Sequence, residues 1–288
     1  MNNYLICTDS ACDLPSVLLD ELGIKSCPLT FRFDGDEKEY ENGEMDTKTF
    51  YNRMRGGESA KTSAVNSEVF KNFFDKLLSE GNDIYYLGFS SGLSTTYNSA
   101  RIAADELRSV YPDRKIIVCD SLAASAGFGL LLYYAFEKKK SGATIEELSD
   151  YIESIKMNVC LWFTVDDLVY LKRGGRISPT VAFVGNALGL KPVLHMDNDG
   201  HLVNVSKVRG RKNAISALVA KYTELAKDPQ NSIVYISHSD CYDDAKLLSD
   251  MINEKHGVSA SLITDVGPVI GAHSGPGTLA LFFIGKEK

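Results

Sequence analysis

The chain has 288 residues, 44% of them hydrophobic and 24% charged, which is the composition of an ordinary globular protein with ample core material. Its formal net charge of −7 argues against a nucleic-acid surface, because gripping phosphates needs a cationic excess. Length and composition leave room for one large domain or two ordinary ones, and exclude a disordered, fibrous or disulfide-built chain.

Tyr4-Leu5-Ile6-Cys7 reads as a strand; with no basic residue in Met1-Asn2-Asn3, it is too short for the apolar part of a secretory leader. It runs into Thr8-Asp9-Ser10. Asp13 is expected to cap a helix with Pro15 in its first turn, Leu14, Leu18 and Leu22 on its inner face and Gly23 at its stop. Asp9 and Ser10 thus follow a strand's carboxyl end, where open α/β sheets take ligands, although both also suit a plain turn cap. Residues 28–33 and 38–40, joined by Asp34-Gly35, read as a strand pair, and residues 47–55 as a helix ended by Gly56-Gly57. Lys61-Thr62-Ser63-Ala64-Val65-Asn66 reads as a hydroxyl-rich loop. It leads into a helix over residues 67–79, whose Phe70, Phe73, Phe74, Leu77 and Leu78 follow the three-four spacing of a packed face.

A second hydroxyl-rich loop follows. The strand ending at Gly88 runs into Phe89-Ser90-Ser91-Gly92-Leu93-Ser94-Thr95-Thr96-Tyr97, which opens a helix from Asn98 to about Tyr111. A helix start lined with Ser and Thr offers backbone N–H groups, hydroxyl donors and the positive end of the helix dipole together. It would hold an anion without a metal or a basic residue. The strand Lys115-Ile116-Ile117-Val118-Cys119 ends in Asp120-Ser121, and a helix is expected from about Ala124 to Lys140. Within it, residues 123–136 form the longest nearly apolar run, well short of the roughly 20 residues that span a membrane. Thr144-Ile145-Glu146-Glu147 is a capping box for a helix reaching about Met157. Strands alternating with helices over this half predict a parallel, Rossmann-like sheet covered on both faces.

The pattern changes at Val159. Residues 160–165 read as a strand, and Asp166 or Asp167 caps a short helix carrying Leu168, Tyr170 and Leu171. After Lys172-Arg173-Gly174-Gly175-Arg176-Ile177, Ser178 is expected to cap a helix with Pro179 at its first position. Residues 190–196 and 201–207, joined by Asp197-Asn198-Asp199-Gly200, form a long hairpin. Helices at 212–227 and 243–255 and strands at 233–236 and 259–264 complete an α+β half. The expected division is an N-terminal α/β domain, 1–158, and a C-terminal α+β domain, 159–288, whose last few residues return to the first.

Six cysteines lie scattered with no C-x-x-C pair, as reduced core thiols of a cytoplasmic protein would. Neither nucleotide loop is present, since Gly127-Phe128-Gly129 lacks the rest of its motif. The five histidines form no H-x-x-x-H and have no cysteine at ligand spacing, so neither a metal nor a cofactor is expected. Two functions compete for the loop after Gly88. Gly88-Phe89-Ser90-Ser91-Gly92 matches the G-x-S-x-G nucleophile elbow of serine esterases, with Asp265 and His273 in the right chain order. Against it, the loop runs on through Leu93-Ser94-Thr95-Thr96 and no H-G-G-G precedes it. The alternative is a seat for an anionic head group, served by His273 on the rigid Gly/Pro-rich loop 267–277.

Taken in order, Thr8-Asp9-Ser10…Asp13-Leu14-Pro15, Thr62-Ser63, Ser90-Ser91-Gly92-Leu93-Ser94…Thr96-Tyr97-Asn98-Ser99-Ala100, Asp120-Ser121, residues 170–178 and Gly267-Pro268-Val269-Ile270-Gly271…His273…Gly275-Pro276-Gly277 resemble the DegV family of bacterial fatty-acid-binding proteins across essentially the whole chain. The resemblance implies one long-chain fatty acid, such as palmitate, stearate or oleate, held between two domains. Its carboxylate would meet Thr62 and Ser94, with Ser63, Gly92, Thr95 and His273 close by. The resemblance also implies a partner, the catalytic subunit of a fatty acid kinase, which phosphorylates the presented carboxylate for phospholipid synthesis while the binding protein performs no chemistry. Arg173 and Arg209, exposed-looking like Arg176 and Arg211, lie in family-like segments and are assigned to that partner. Ala64-Val65-Asn66 stands where the family has Gln-Pro-Ser, and Thr95 where it has Gly. The added Thr95 side chain bears on the head-group pocket and so on the preferred chain. Neutral anchors would leave the carboxylate nucleophilic.

Overall fold

The computed structural model describes residues 4–177 and 189–288. The first half comprises β1 (Tyr4–Asp9), α1 (Ser16–Glu21), β2 (Lys25–Cys27), β3 (Thr30–Phe33), β4 (Tyr40–Glu41), α2 (Thr47–Arg55), β5 (Ala60–Ser63), α3 (Ser67–Ser79), β6 (Asp83–Gly88), α4 (Thr96–Val110), β7 (Ile116–Asp120), α5 (Ala126–Lys140) and α6 (Ile145–Ile155). The second comprises β8 (Val159–Thr164), α7 (Val169–Arg173), β9 (Leu190–Met196), β10 (Leu202–Arg209), α8 (Arg211–Leu225), β11 (Tyr235–His238), α9 (Tyr242–His256), β12 (Leu262–Asp265), α10 (Pro268–Ser274) and β13 (Leu279–Ile284).

Three sheets result. Strands β2-β1-β6-β7 pair in parallel, as the βα alternation dictates. Strands β4-β3-β5 form a small antiparallel sheet, and β10-β9-β8-β13-β11-β12 a six-stranded one in which only β11 and β12 run parallel. Apart from the small β4-β3-β5 sheet, pairing thus changes from parallel to mainly antiparallel between β7 and β8.

The register of the large sheet explains why the chain builds two cores. Phe163, Ala280 and Ser237 lie in one row across β8, β13 and β11, and Leu161, Phe282 and Tyr235 in the next row on the same face. The apolar members of these rows belong to the core shared with the parallel sheet. The intervening row, Trp162, Leu281 and Ile236, points the other way and packs on Leu218 and Tyr222 of α8 and Leu248 and Ile252 of α9. Helix α5 touches β6 of the parallel sheet and β8, β11 and β13 of the large one. Both flanks being covered, it is apolar nearly all round, which accounts for the long apolar run.

Several boundaries follow local chemistry as expected. Asp46 caps α2, Asn66 caps α3, and Thr144 with Glu147 forms both bonds of the capping box on α6. Four expectations need correction. Asp13 caps no helix: it sits buried at φ 50° after a short 3-10 turn, and α1 begins past Pro15. Residues 61–63 of the expected loop 61–66 belong to strand β5 (Ala60–Ser63), because β3 offers a free edge. The Gly/Pro-rich stretch at 267–277 contains a helix, α10, with Pro268 in its first turn. Strand β13, a central strand of the large sheet, was not anticipated; its run Leu279-Ala280-Leu281-Phe282-Phe283-Ile284 is apolar on both faces and shows no alternation. The helix expected to start at Ser178 and Pro179 lies outside the described residues.

Leu281 is fully buried between α8, α9 and the sheet. Leu281→Ala is expected to cost about 2–5 kcal/mol, read in urea unfolding as a lower midpoint with an unchanged slope.

Candidate functional site

A cavity of about 440 Å³ opens between the parallel-sheet unit and the inner face of the large sheet. Leu161, Phe163, Ala280 and Phe282 form its floor, all from that face, and Phe89, Leu93, Val269 and Ile270 close it from the other side. Its size is within the ordinary range of small-ligand sites.

Five of the six residues expected to bind the ligand line this one cavity: Thr62, Ser63, Ser94, Thr95 and His273. Thr62 comes from β5 and His273 from the last turn of α10, which packs against β5 and α7. Their side chains meet, with Thr62 Oγ1 and His273 Nε2 2.8 Å apart. Burial, and secondarily the Arg176 charge, push the imidazole pKa down to about 4. His273 is therefore neutral at physiological pH and acts as a hydrogen-bonding partner, not a cation. Ser94 begins the approach to α4: its Oγ accepts from Thr96 N at 3.2 Å and lies 2.9 Å from Thr96 Oγ1. Ser63 is more committed than its neighbour, since its hydroxyl donates to Glu39 at 2.7 Å. Gly92 does not line the cavity; its Cα faces the Gly200 carbonyl, which an added Cβ would approach to 2.7 Å.

Arg176 changes the electrostatics of the site. It had looked like a solvated cation, yet it is half-buried and lines the cavity. Its Nε donates to the Leu93 carbonyl at 3.2 Å and its Nη1 to the Gly174 carbonyl at 2.5 Å. Burial lowers its pKa from the ordinary arginine value. The site thus carries a basic residue after all, one whose donors are partly spent on backbone carbonyls that tie the loop after β6 to the turn after α7. No spacing in the sequence distinguishes Arg176 from Arg173, which is exposed and donates to Ser59. Arg209 is exposed, whereas Arg211 pairs with Asp244 at 2.8 Å.

The nucleophile-elbow reading does not assemble. Ser90 is fully buried and its Oγ donates to the Gly200 carbonyl at 2.9 Å. Asp265 accepts from Thr47 Oγ1 at 2.8 Å and lies 3.4 Å from His238, while His273 is engaged with Thr62. Each member of the expected triad has a different partner. Asp197, Asp199 and His201 come together on the exposed hairpin turn, where Asp197 Oδ1 accepts from the Asp199 and His201 amides. Among the described residues, no helix is long and apolar enough to cross a membrane.

A second polar group was missed because Asp13 had been read as a helix cap. Its Oδ2 accepts from Ser125 Oγ at 2.5 Å and its Oδ1 from Gly267 N at 3.0 Å. Desolvation raises its pKa to about 7. Asp9, which caps the 3-10 turn through Ala11 N, also accepts from Tyr86 and from Phe89 N, so it organises the strand ends and does not face the cavity.

Residues 3–286 match the model of the DegV family of uncharacterised proteins. A DegV domain-containing protein of Clostridium perfringens is 43% identical, covering 100% of this chain and 99% of that one. A DegV family protein from Thermus thermophilus, whose structure is described as fatty acid binding, superposes with a TM-score of 0.88 at 29% identity over 98% and 99% of the two chains. A stearic acid-binding protein from Eubacterium ventriosum gives 0.88 at 26% identity, over 98% of each chain.

Proposed function

The chain belongs to the DegV family, and on that footing we propose that it holds one long-chain fatty acid, such as palmitate, stearate or oleate, between two domains, 1–158 and 159–288. The observation that carries this reading is an apolar cavity with Thr62, Ser94, His273 and Arg176 together in its wall. Burying a dozen methylenes contributes about 10 kcal/mol before the costs of association. The tail thereby supplies the affinity, and the polar end has only to orient the carboxylate.

In this reading the protein acts in the cytoplasm as the acid-presenting subunit of a fatty acid kinase and catalyses nothing itself. Its partner, the kinase catalytic subunit, would phosphorylate the carboxylate to an acyl phosphate. Arg173 and Arg209, both exposed, are assigned to that contact. Native mass spectrometry of the gently purified protein is expected to show one acyl chain per polypeptide, or one after loading with oleate. A fluorophosphonate is expected to leave Ser90 unlabelled. Failure to retain or take up any acyl chain removes the reading, and labelling of Ser90 revives the esterase.

A further inference from the structure

The cavity also contains polar groups that a plain hydrocarbon does not use. Ser125 and Ser237 both line it. Ser237 stands in the row Phe163, Ala280, Ser237, Thr264, beside the apolar side chains of the shared core. The two hydroxyl oxygens are 3.0 Å apart, and Ser125 in turn donates to the carboxyl of Asp13. With the Ser125 proton committed to Asp13, the proton between the serines is that of Ser237. Ser237 Oγ is left with lone pairs available to a group inside the cavity.

This relay is held at a cost that simple packing does not require. Ser125 adopts φ 52°, ψ −147°, a region almost reserved for glycine that costs another residue about 1–3 kcal/mol. Asp13, also at positive φ, is a buried carboxyl with no cation beside it among the described residues. Backbone strain of this kind persists where the surroundings impose it, and it clusters at ligand sites. An unsubstituted alkyl chain satisfies none of these groups.

Helix α10 sets the distance from the head-group end. Asp13 holds Gly267 at its start, and His273 meets Thr62 at its end. The six steps from Gly267 to His273, at 1.5 Å each, set these two backbone positions about 9 Å apart. An extended chain advances about 1.2 Å per bond, so a relay held at the Gly267 end lies several bonds along a chain whose carboxylate sits at the His273 end.

We propose that the cavity accepts a long-chain acid oxygenated near its middle, a hydroxy fatty acid, whose hydroxyl donates to Ser237 Oγ in the relay Ser237–Ser125–Asp13. The inference rests on the fatty-acid reading and names the substrate class of that same site.

The test uses the full-length protein stripped of lipid and titrated with 10-hydroxyoctadecanoic and octadecanoic acids, by displacement of a fluorescent fatty acid. The wild type is expected to bind the hydroxy acid at least as tightly as the plain one. In Ser237→Ala the ratio of hydroxy to plain affinity should fall about five- to tenfold, the worth of one hydrogen bond, while octadecanoic acid binding is retained. Ser237→Thr, which keeps a hydroxyl, should restore the ratio, and 2-hydroxyoctadecanoic acid should show no dependence on residue 237. A ratio unchanged by Ser237→Ala, or exclusion of the hydroxy acid by a wild type that binds octadecanoic acid, overturns the inference and leaves the fatty-acid reading standing. If the wild type binds neither acid, the fatty-acid reading itself fails.

Discussion

Replacing Thr62 and Ser94 together by alanine is expected to weaken long-chain fatty-acid binding by a hundredfold or more. Both hydroxyls are half-buried on the wall of the same cavity, one from β5 and one from the approach to α4. A hydrogen bond to a charged group contributes about 1.5–3 kcal/mol, so losing two exceeds the roughly 2.7 kcal/mol that a hundredfold requires. Removing Thr62 also strips His273 Nε2 of its partner at 2.8 Å. Ser90→Ala is the matched control: that hydroxyl is spent on the Gly200 carbonyl and does not line the cavity, so binding should change by less than about threefold, with any effect falling on stability. Isothermal titration with oleate distinguishes these outcomes. Equal affinity for the double variant and the parent would remove the anchor assignment.

Gly174→Ala is expected to reduce fatty-acid affinity by about tenfold or more, through a residue that contacts no ligand in the proposed complex. Gly174 follows α7 at φ −72°, ψ −10°, a conformation alanine adopts freely, and a glycine-to-alanine change at such a position ordinarily stabilises by about 0.4–1 kcal/mol. Here the new methyl would overlap Nδ1 of His273. The ring is fixed at the end of α10, so it can yield only by giving up Thr62. Circular dichroism should report an intact fold while titration reports the loss. The diagnostic comparison is a cycle with His273→Ala. Once the ring is gone the methyl has space, so the double variant should bind no worse than His273→Ala alone. If the two losses simply add, Gly174 acts by some route other than His273.

The parallel sheet, the α5 apolar run and the capping-box start of α6 were all legible in residues 4–157, because each depends on periodicity or on contacts within a few positions. Thr62, Ser94 and His273 were legible for another reason: as members of an ordered set of motifs spanning the chain. What the sequence by itself determined is therefore the fold class and the family, and it pointed to Thr62, Ser94 and His273, which line one cavity.

Tertiary structure alone decided the rest. Strand β13 shows no alternation because it is covered on both faces, so its place at the centre of the large sheet depends on partners up to 125 residues away. Arg176 and Arg173 stand three residues apart with the same local chemistry. Only the approach of the Leu93 and Gly174 carbonyls buries one in the cavity wall and leaves the other outside. Asp13 sits where a helix cap belongs by sequence, yet Ser125 and Gly267, 112 and 254 positions on, draw it into a buried relay. Hydrophobic spacing and capping act over a turn of chain. Burial, desolvation and hydrogen bonding between distant segments arise only when the sheets close on one another, and they set which polar groups face the ligand.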